Sequence, residues 1–377
     1  MGLKDRRIVK KVRKSMLFSR LRQRLPMRDV GVVDDRGRIE DADAVTIDWP
    51  AGVAKPRIGL VPDIGVFPRW TKHRRFLETN GFEHEIFDIH AHDWIEKAKA
   101  FDIVVGLVSN EIGPLEEIRT KYHYLETYLG KRCYPSADQA LLYDDKCLEA
   151  YVAKVRGFPM AGSHISHDKA DALAMAGRAA YPLVSKVNHS SGSLGVELVR
   201  TPRQARRIVR QAFARRGRST YLPWDRQKNY VVFQDFVPND GYDVRVMAIG
   251  RQAFGYYRKV LSGDFRASGM GGVEKRALPE EAVRIALMAR ERLGLPQIVV
   301  DMVRGLDGRF AIVEFSIVCQ VETPEQLKVD GRPGSYVLGD DGAIRFEPGR
   351  VWVHELALKR FLLDDYLPRA GAKRPAC

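Results

Sequence analysis

The chain has 377 residues, 45% of them hydrophobic and 29% charged, with a formal net charge of +14. That length favours two or three cores over one, and the balance is that of a globular chain rather than a disordered or fibrous one. The excess of cations points towards acidic partners such as phosphates, nucleic acid or an anionic membrane surface, and four scattered cysteines with no CxxC pair exclude a zinc knuckle and a disulfide framework.

Residues 3–28 are rich in Lys and Arg, with Leu3, Ile8, Val12, Met16, Leu21 and Leu25 at near-helical spacing. This predicts an amphipathic helix with a cationic face that could touch RNA or anionic lipid, or else a solvated leader. No apolar run reaches the ~18 residues of a membrane span, and the apolar run at the N-terminus is too short for a signal peptide, so a reducing, cytoplasmic setting is expected. Residues 29–55 read as a linker or small cap. From residue 56 strands alternate with helices: strands near 57–61, 85–89, 101–107 and 131–134, helices near 69–80, 92–99 and 114–129. Such alternation predicts a parallel α/β sheet over 56–135.

Residues 136–225 carry helical stretches at 145–156 and 202–216 around strands near 161–167 and 182–187. Residues 229–316 are richer in strands, with one helix at 279–293 that starts at Pro279-Glu280-Glu281 and stops at Gly294. Residues 331–377 read as a hairpin-like stretch followed by an apolar helix near 351–363. Internal repeats and low-complexity tracts are absent.

Four segments carry chemistry. An apolar strand delivers Lys186 to a loop holding Ser190, Ser191, Gly192 and Gly195. Small residues let backbone N–H groups approach phosphate oxygens, and the lysine adds a point charge; a plain hairpin turn fits as well. The run Gln234-Asp235-Phe236-Val237 ends a strand that could present its backbone to an adenine edge, or be an ordinary core strand. Asp301 and Glu314 lie on two strands joined by the Asp307-Gly308 turn, and cross-strand pairing would bring them together. Two adjacent carboxylates repel unless a cation lies between them, and their hard oxygens suit magnesium; Ser316 shares the face of Glu314. Lys146, Arg245 and Arg266 complete the set, the guanidiniums being suited to bidentate contact with a phosphate or, equally, to surface ion pairs.

In this order the segments resemble the ATP-grasp superfamily over about 56–320, most nearly glutathione synthetase and the ribosomal-protein glutamate ligases. The resemblance implies a mixed α/β and α+β architecture: a pre-ATP-grasp parallel domain at 56–135, a small lobe with a glycine-rich lid at 136–225, and a large lobe with the metal site at 226–330. An N-terminal extension (1–55) and a C-terminal tail (331–377) flank them. It implies that Lys146 and Lys186 contact phosphates and that 189–195 close over them. Gln234, Asp235, Phe236 and Val237 would read adenine, and Asp243 would hold the ribose. Arg245 and Arg266 would face the γ-phosphate and acyl phosphate. Asp301, Glu314 and Ser316 would hold magnesium or manganese, although the family's third metal position usually carries Asn. The implied activity is an ADP-forming ligase that joins a small-molecule or peptide carboxylate to an amine (or a thiol) through an acyl phosphate, in a chain that could be a homodimer. A kinase on the same scaffold, or a nucleotide-binding protein without turnover whose N-terminus contacts RNA or membrane, are the competing expectations.

Overall fold

The computed structural model describes residues 34–35, 37, 39–63, 68–106, 108, 112–189, 195–220, 225–260 and 272–370. The basic segment 3–28, the loop residues Ser190, Ser191 and Gly192, and Arg266 with its glycine-rich loop lie outside them.

The first unit is a parallel sheet. Two apolar strands, β1 (Ile58–Leu60) and β3 (Ile103–Val105), form its centre, flanked by β2 (His84–Ile86) and β4 (Arg132–Tyr134) in the order β2-β1-β3-β4. Helices α1 (Trp70–Thr79), α2 (Trp94–Ala98) and α3 (Ile112–Thr127) make the crossovers. Parallel strands read as continuous apolar runs because both their faces are covered, and β1 and β3 are buried at every position. Asp63 accepts the backbone N–H groups of Arg69 (2.9 Å) and Trp70 (3.0 Å), which fixes the start of α1 beside the sheet. Residues 39–45, expected as linker or cap, contribute Ile39, Ala42 and Val45 to a buried cluster with α1 and the C-terminal helix.

The second unit opens with two helices. Ser136 and Gln139 form a reciprocal capping box on α4 (Ala137–Leu142), and Asp145 caps α5 (Lys146–Arg156). The sheet that follows is antiparallel, in the order β5-β10-β6-β7, built from β5 (Ser163–Ser166), β6 (Leu183–Lys186), β7 (Glu197–Val199) and, later in the chain, β10 (Val231–Asp235). Helices α6 (Lys169–Arg178) and α7 (Pro202–Ala212) cover one face and share a core with Leu183, Val199, Val231 and Phe233. The short pair β8 (Arg218–Ser219) and β9 (Arg226–Gln227) lies between α7 and β10.

The third unit is a larger sheet in the order β15-β14-β11-β12-β17-β16. Its strands are β11 (Asn239–Ile249), β12 (Gln252–Lys259), β14 (Gln297–Gly305), β15 (Phe310–Ser316), β16 (Leu327–Val329) and β17 (Arg332–Leu338). Strand β13 (Val273–Glu274) pairs with β12, and β18 (Ile344–Pro348) with β17. Helix α8 (Glu280–Arg292) packs its Ala282, Val283, Ala286 and Leu287 onto this sheet. The C-terminal helix α9 (Val353–Phe361), continued by Leu362–Tyr366 and α10 (Leu367–Ala370), packs back on α1. A bridge between Met160 and Ile312 ties the second unit to the third.

The expected class is present: a parallel α/β unit followed by two α+β lobes. Helices α4 and α6 were not foreseen; their alanine-rich stretches lack a strong apolar stripe, and their signals are the caps at Ser136 and Asp168.

Candidate functional site

Three neighbouring strands place one polar row across the large sheet. In the register, Arg245 on β11 faces Asp301 on β14, and Asp301 faces Glu314 on β15. The cross-strand meeting of the two acids expected from the Asp307-Gly308 hairpin is therefore observed. The cations beside them belong to the protein. Arg245 donates from Nε to Asp301 Oδ1 (2.7 Å) and from Nη2 to Oδ2 (2.8 Å), and Arg258 on β12 pairs with Oδ2 at 2.8 Å. Burial works to raise the Asp301 pKa, but the two guanidiniums outweigh it and hold the carboxyl well below the usual range.

Arg258 also forks onto Asp243, its cross-strand partner. Burial pushes Asp243 up to about 6 against the pull of Arg258. Sequence alternation pairs Asp243 with Arg245 on one face, yet the guanidinium that Asp243 binds is Arg258.

A second group arrives from the small lobe. Lys146 begins α5 and donates from Nζ to Asp144 and to Glu314 Oε1 (3.1 Å). Burial alone would lower its pKa; Glu314, Glu149 and Asp144 together raise it well above the ordinary value. Lys186 ends β6, and its Nζ donates to the backbone oxygen of Val313 at 2.6 Å. Its burial outweighs the more distant carboxylates, so its pKa falls. The two lysines differ because one touches carboxylates and the other a carbonyl.

Glu149 lies one helical turn after Lys146. Its Oε2 accepts the Phe315 N–H (3.2 Å), while Oε1 is buried without a hydrogen-bond partner. Burial pushes its pKa up to about 8. Asp144 Oδ2 is likewise buried and unsatisfied. Glu314 and these acids line a cavity of about 300 Å³, whose wall also takes in Arg69, Arg245 and Asp301; the buried Lys146 is bonded to two of these acids, Asp144 and Glu314.

The loop after Lys186 packs against the start of α5. Asn188 accepts the Cys147 N–H (3.0 Å), and a His189 ring nitrogen lies 3.0 Å from the Asp144 carbonyl. Gly195, where the chain is described again, has φ +72°, a value that a side chain would strain. At the end of β10 the Asp235 N–H donates to Gly162 O (2.7 Å), and its carboxylate meets His164 Nε2 at 2.8 Å. His164 thus has a carboxylate partner from the neighbouring strand. Gln234 is buried with its amide 3.4 Å from Ser163 Oγ, the Phe236 N–H reaches Pro182 O at 3.4 Å, and Val237 O accepts the Asn239 amide.

No protein-family model matches the chain. Two curated relatives, probable alpha-L-glutamate ligases of Haemophilus influenzae strains PittEE and 86-028NP, are each 27% identical over 183 residues, 48% of this chain. The chain spans only 57% of the length of these relatives. Among solved structures, a RimK-domain ATP-grasp protein from Sphaerobacter thermophilus is similar with a TM-score of 0.49 and 17% identity, covering 70% of this chain and 92% of that one. The chain resembles ATP-grasp ligases. The D-alanine–D-alanine ligase of Bacillus anthracis, solved with ATP, is similar with a TM-score of 0.48 and 18% identity, covering 70% of this chain and 86% of that one.

Set against the ATP-grasp expectations, the structure brings Lys146, Lys186, Arg245, Asp301 and Glu314 into one neighbourhood. Ser316 reaches the same cavity, but its hydroxyl is engaged in its own turn, accepting the Val318 N–H at 3.3 Å. Asp243 is instead covered by Arg258. The residues missed are Asp144, Glu149, Arg258 and Arg69. Glu149 had a signal, since its i+3 spacing puts it on the face of Lys146; Asp144, two residues before Lys146, and Arg258, opposite Asp243 in the β11–β12 hairpin, are also local, whereas Arg69 depends on long-range packing.

The donor chemistry fits magnesium in a limited way. Asp144 Oδ2 and Glu149 Oε1 are unsatisfied hard oxygens, and Glu314 meets a single lysine nitrogen. Asp301 has both oxygens on guanidiniums, so it would join an ion's shell only by giving up Arg245 or Arg258. Among the described residues no trio of His, Cys, Asp and Glu is placed to hold an ion unaided. Such a set suits a cation that keeps waters and phosphate oxygens rather than an all-protein cage.

Proposed function

We propose that the chain is an ATP-dependent ligase that activates a carboxylate and passes it to an amine. The observation that carries this reading is the convergence of Lys146 and Lys186 from the small lobe on strand β15, where Glu314 lies beside Asp301 and Arg245 in the wall of one cavity. Relatives named glutamate ligases support it. In this reading ATP is a substrate, and Lys146, Lys186 and Arg245 offset the charge of its phosphates; Arg266, the loop 189–195 and the hinge 234–237 keep the roles that the resemblance implies. Asp301 and Glu314 would hold magnesium, with Ser316 reaching it through a water, and the ion would supply Lewis-acid stabilisation of phosphate oxygens.

The rest of the chemistry is positioning. Buried cations need no reorganisation when charge moves between phosphate and carboxylate, and they act in a site of low dielectric. Lys186 is already desolvated, and its hydrogen bond to Val313 O can be exchanged for a phosphate oxygen. Arg245 can exchange part of its fork on Asp301 for an acyl phosphate in the same way. Protein nucleophiles are unnecessary, because the substrate carboxylate itself attacks.

The test is ADP release with pooled amino acids and carboxylic acids, followed by mass spectrometry of the product. The expected result is ADP together with an amide, and a loss of at least ~100-fold in Asp301→Asn. A stable phosphoester would instead make the chain a kinase. Full turnover in Asp301→Asn would remove this site from the chemistry.

A further inference from the structure

One surface of the small lobe lies outside this chemistry. From Leu198 to Trp224 the chain carries eight arginines and neither Asp nor Glu. Helix α7 sorts them by face. Ala205, Ile208, Val209 and Ala212 are buried against the lobe, while Arg203, Arg206, Arg207 and Arg210 are exposed. At 100° per residue these four fall within an arc of about 100° opposite the buried stripe. Arg215 and Arg216 continue the exposed set just beyond the helix. Among the described residues none of the six makes an ion pair, whereas the neighbouring Arg218 is bound to Glu197 at 2.6 Å.

This arrangement weakens the helix that bears it. Arg203–Arg207 and Arg206–Arg210 are like-charge i,i+4 pairs, and Arg203 sits in the first turn, where the helix dipole disfavours a cation. The first turn has no acidic residue to compensate. A face that repels itself is satisfied by an external polyanion.

We infer that the outer face of α7 binds the phosphate backbone of a nucleic-acid duplex, independently of its base sequence. Arg203, Arg207 and Arg210 run along about 10 Å of helix axis, over which one strand of a duplex presents about three phosphates. Guanidinium forks match phosphate oxygens bidentately. The described residues of the patch include no exposed large hydrophobic side chain, so it lacks the apolar anchor of a membrane-inserting helix. Exposed aromatic platforms for unpaired bases are likewise missing from its described residues.

The experiment is fluorescence polarisation of a labelled 20-base-pair duplex, as RNA and as DNA, titrated with the full chain between 50 and 200 mM NaCl. The triple variant Arg203→Gln/Arg207→Gln/Arg210→Gln is expected to weaken binding at least tenfold at 100 mM salt. It should reduce the slope of log K against log salt by about 3, one for each phosphate left without its guanidinium. The triple Arg-to-Lys variant at the same positions should keep most of the slope, and both variants should keep the wild-type circular dichroism. The inference is overturned if the Gln variant binds like wild type. It is also overturned if the whole slope is lost instead in Lys10→Gln/Lys11→Gln/Lys14→Gln, or if α7 governs binding only of a polyglutamate peptide or of phosphatidylserine vesicles.

Discussion

Glu149 is a buried carboxyl with one oxygen left without a hydrogen-bond partner. Its folded pKa, pushed up to about 8 by burial, lies above the ordinary 4.5. The folded state therefore holds a proton that the unfolded chain releases once the pH passes 4.5. Stability contributed by the neutral form falls as pH rises from about 4.5 to 8, and levels off above that. Glu149→Gln keeps an acceptor for the Phe315 N–H and removes the titration. Its urea midpoint is expected to drop less than that of the wild type between pH 5 and pH 8.5, the difference being on the order of 1 kcal/mol or more. Parallel pH profiles for the two proteins would show that Glu149 is ionised in the fold throughout. At this scale the sequence was informative where chemistry follows local pattern. Asp301 and Glu314 could be placed near each other because an Asp-Gly turn signals a hairpin; in the structure the loop is Leu306-Asp307-Gly308, and a bulge beside Asp301 sets Glu314 opposite it. Arg258 could not be assigned to Asp301, because that contact requires β14 to lie beside β11, an order set by packing; its pairing with Asp243 follows from the β11–β12 hairpin that closes on Gly250-Arg251.

Among elements, the seam between α1 and the C-terminal helix α9 holds the parallel unit to the large sheet. Arg75 on α1 donates to both oxygens of Glu355 on α9, at 2.5 and 3.1 Å, and to the backbone oxygens of Ile39 and Ala42. Glu355 is only 1% exposed, and burial raises its pKa despite Arg75. Removing the arginine leaves a buried carboxyl and two carbonyls without their partner. Arg75→Ala is expected to cost about 2–4 kcal/mol, measured by urea denaturation, with β10 and the small lobe unaffected in hydrogen exchange. A loss below ~0.5 kcal/mol would mean that this seam does not bear on stability. Most elements were legible because their periods are clean: continuous apolar runs for β1 and β3, and the helix at 280–292 bracketed by Glu280-Glu281 and Gly294. Residues 39–45 were not, since their three buried apolar side chains follow no period and gain meaning only once Trp352 and α1 pack over them; Trp352 Nε1 donates to Ile39 O at 3.1 Å.

At the scale of the whole molecule, two lobes of different architecture contribute to the wall of one cavity, and Lys146 from one pairs with Glu314 from the other. None of the described helices is long and apolar enough to cross a membrane. The charge of +14 is unevenly spread, with an acid-free stretch on the small lobe and a basic segment at 3–28. The order of motifs along the chain was readable, because Lys146 starts a helix, Lys186 ends a strand, and Asp301 and Glu314 lie on two strands joined by a hairpin. The part of the cavity wall formed by Arg69, Val318 and Gln320 was not, because those residues arrive from loops and a helix start far apart in sequence. Lys186 and Glu314 are proposed to belong to a single nucleotide site. Calorimetric titration of ATP, with and without magnesium, tests that directly. The expected result is magnesium-dependent binding by the wild type, at least tenfold weaker in Lys186→Met, and in Glu314→Gln a binding that no longer responds to magnesium. Equal ATP affinity in all three proteins, with or without the ion, would contradict it.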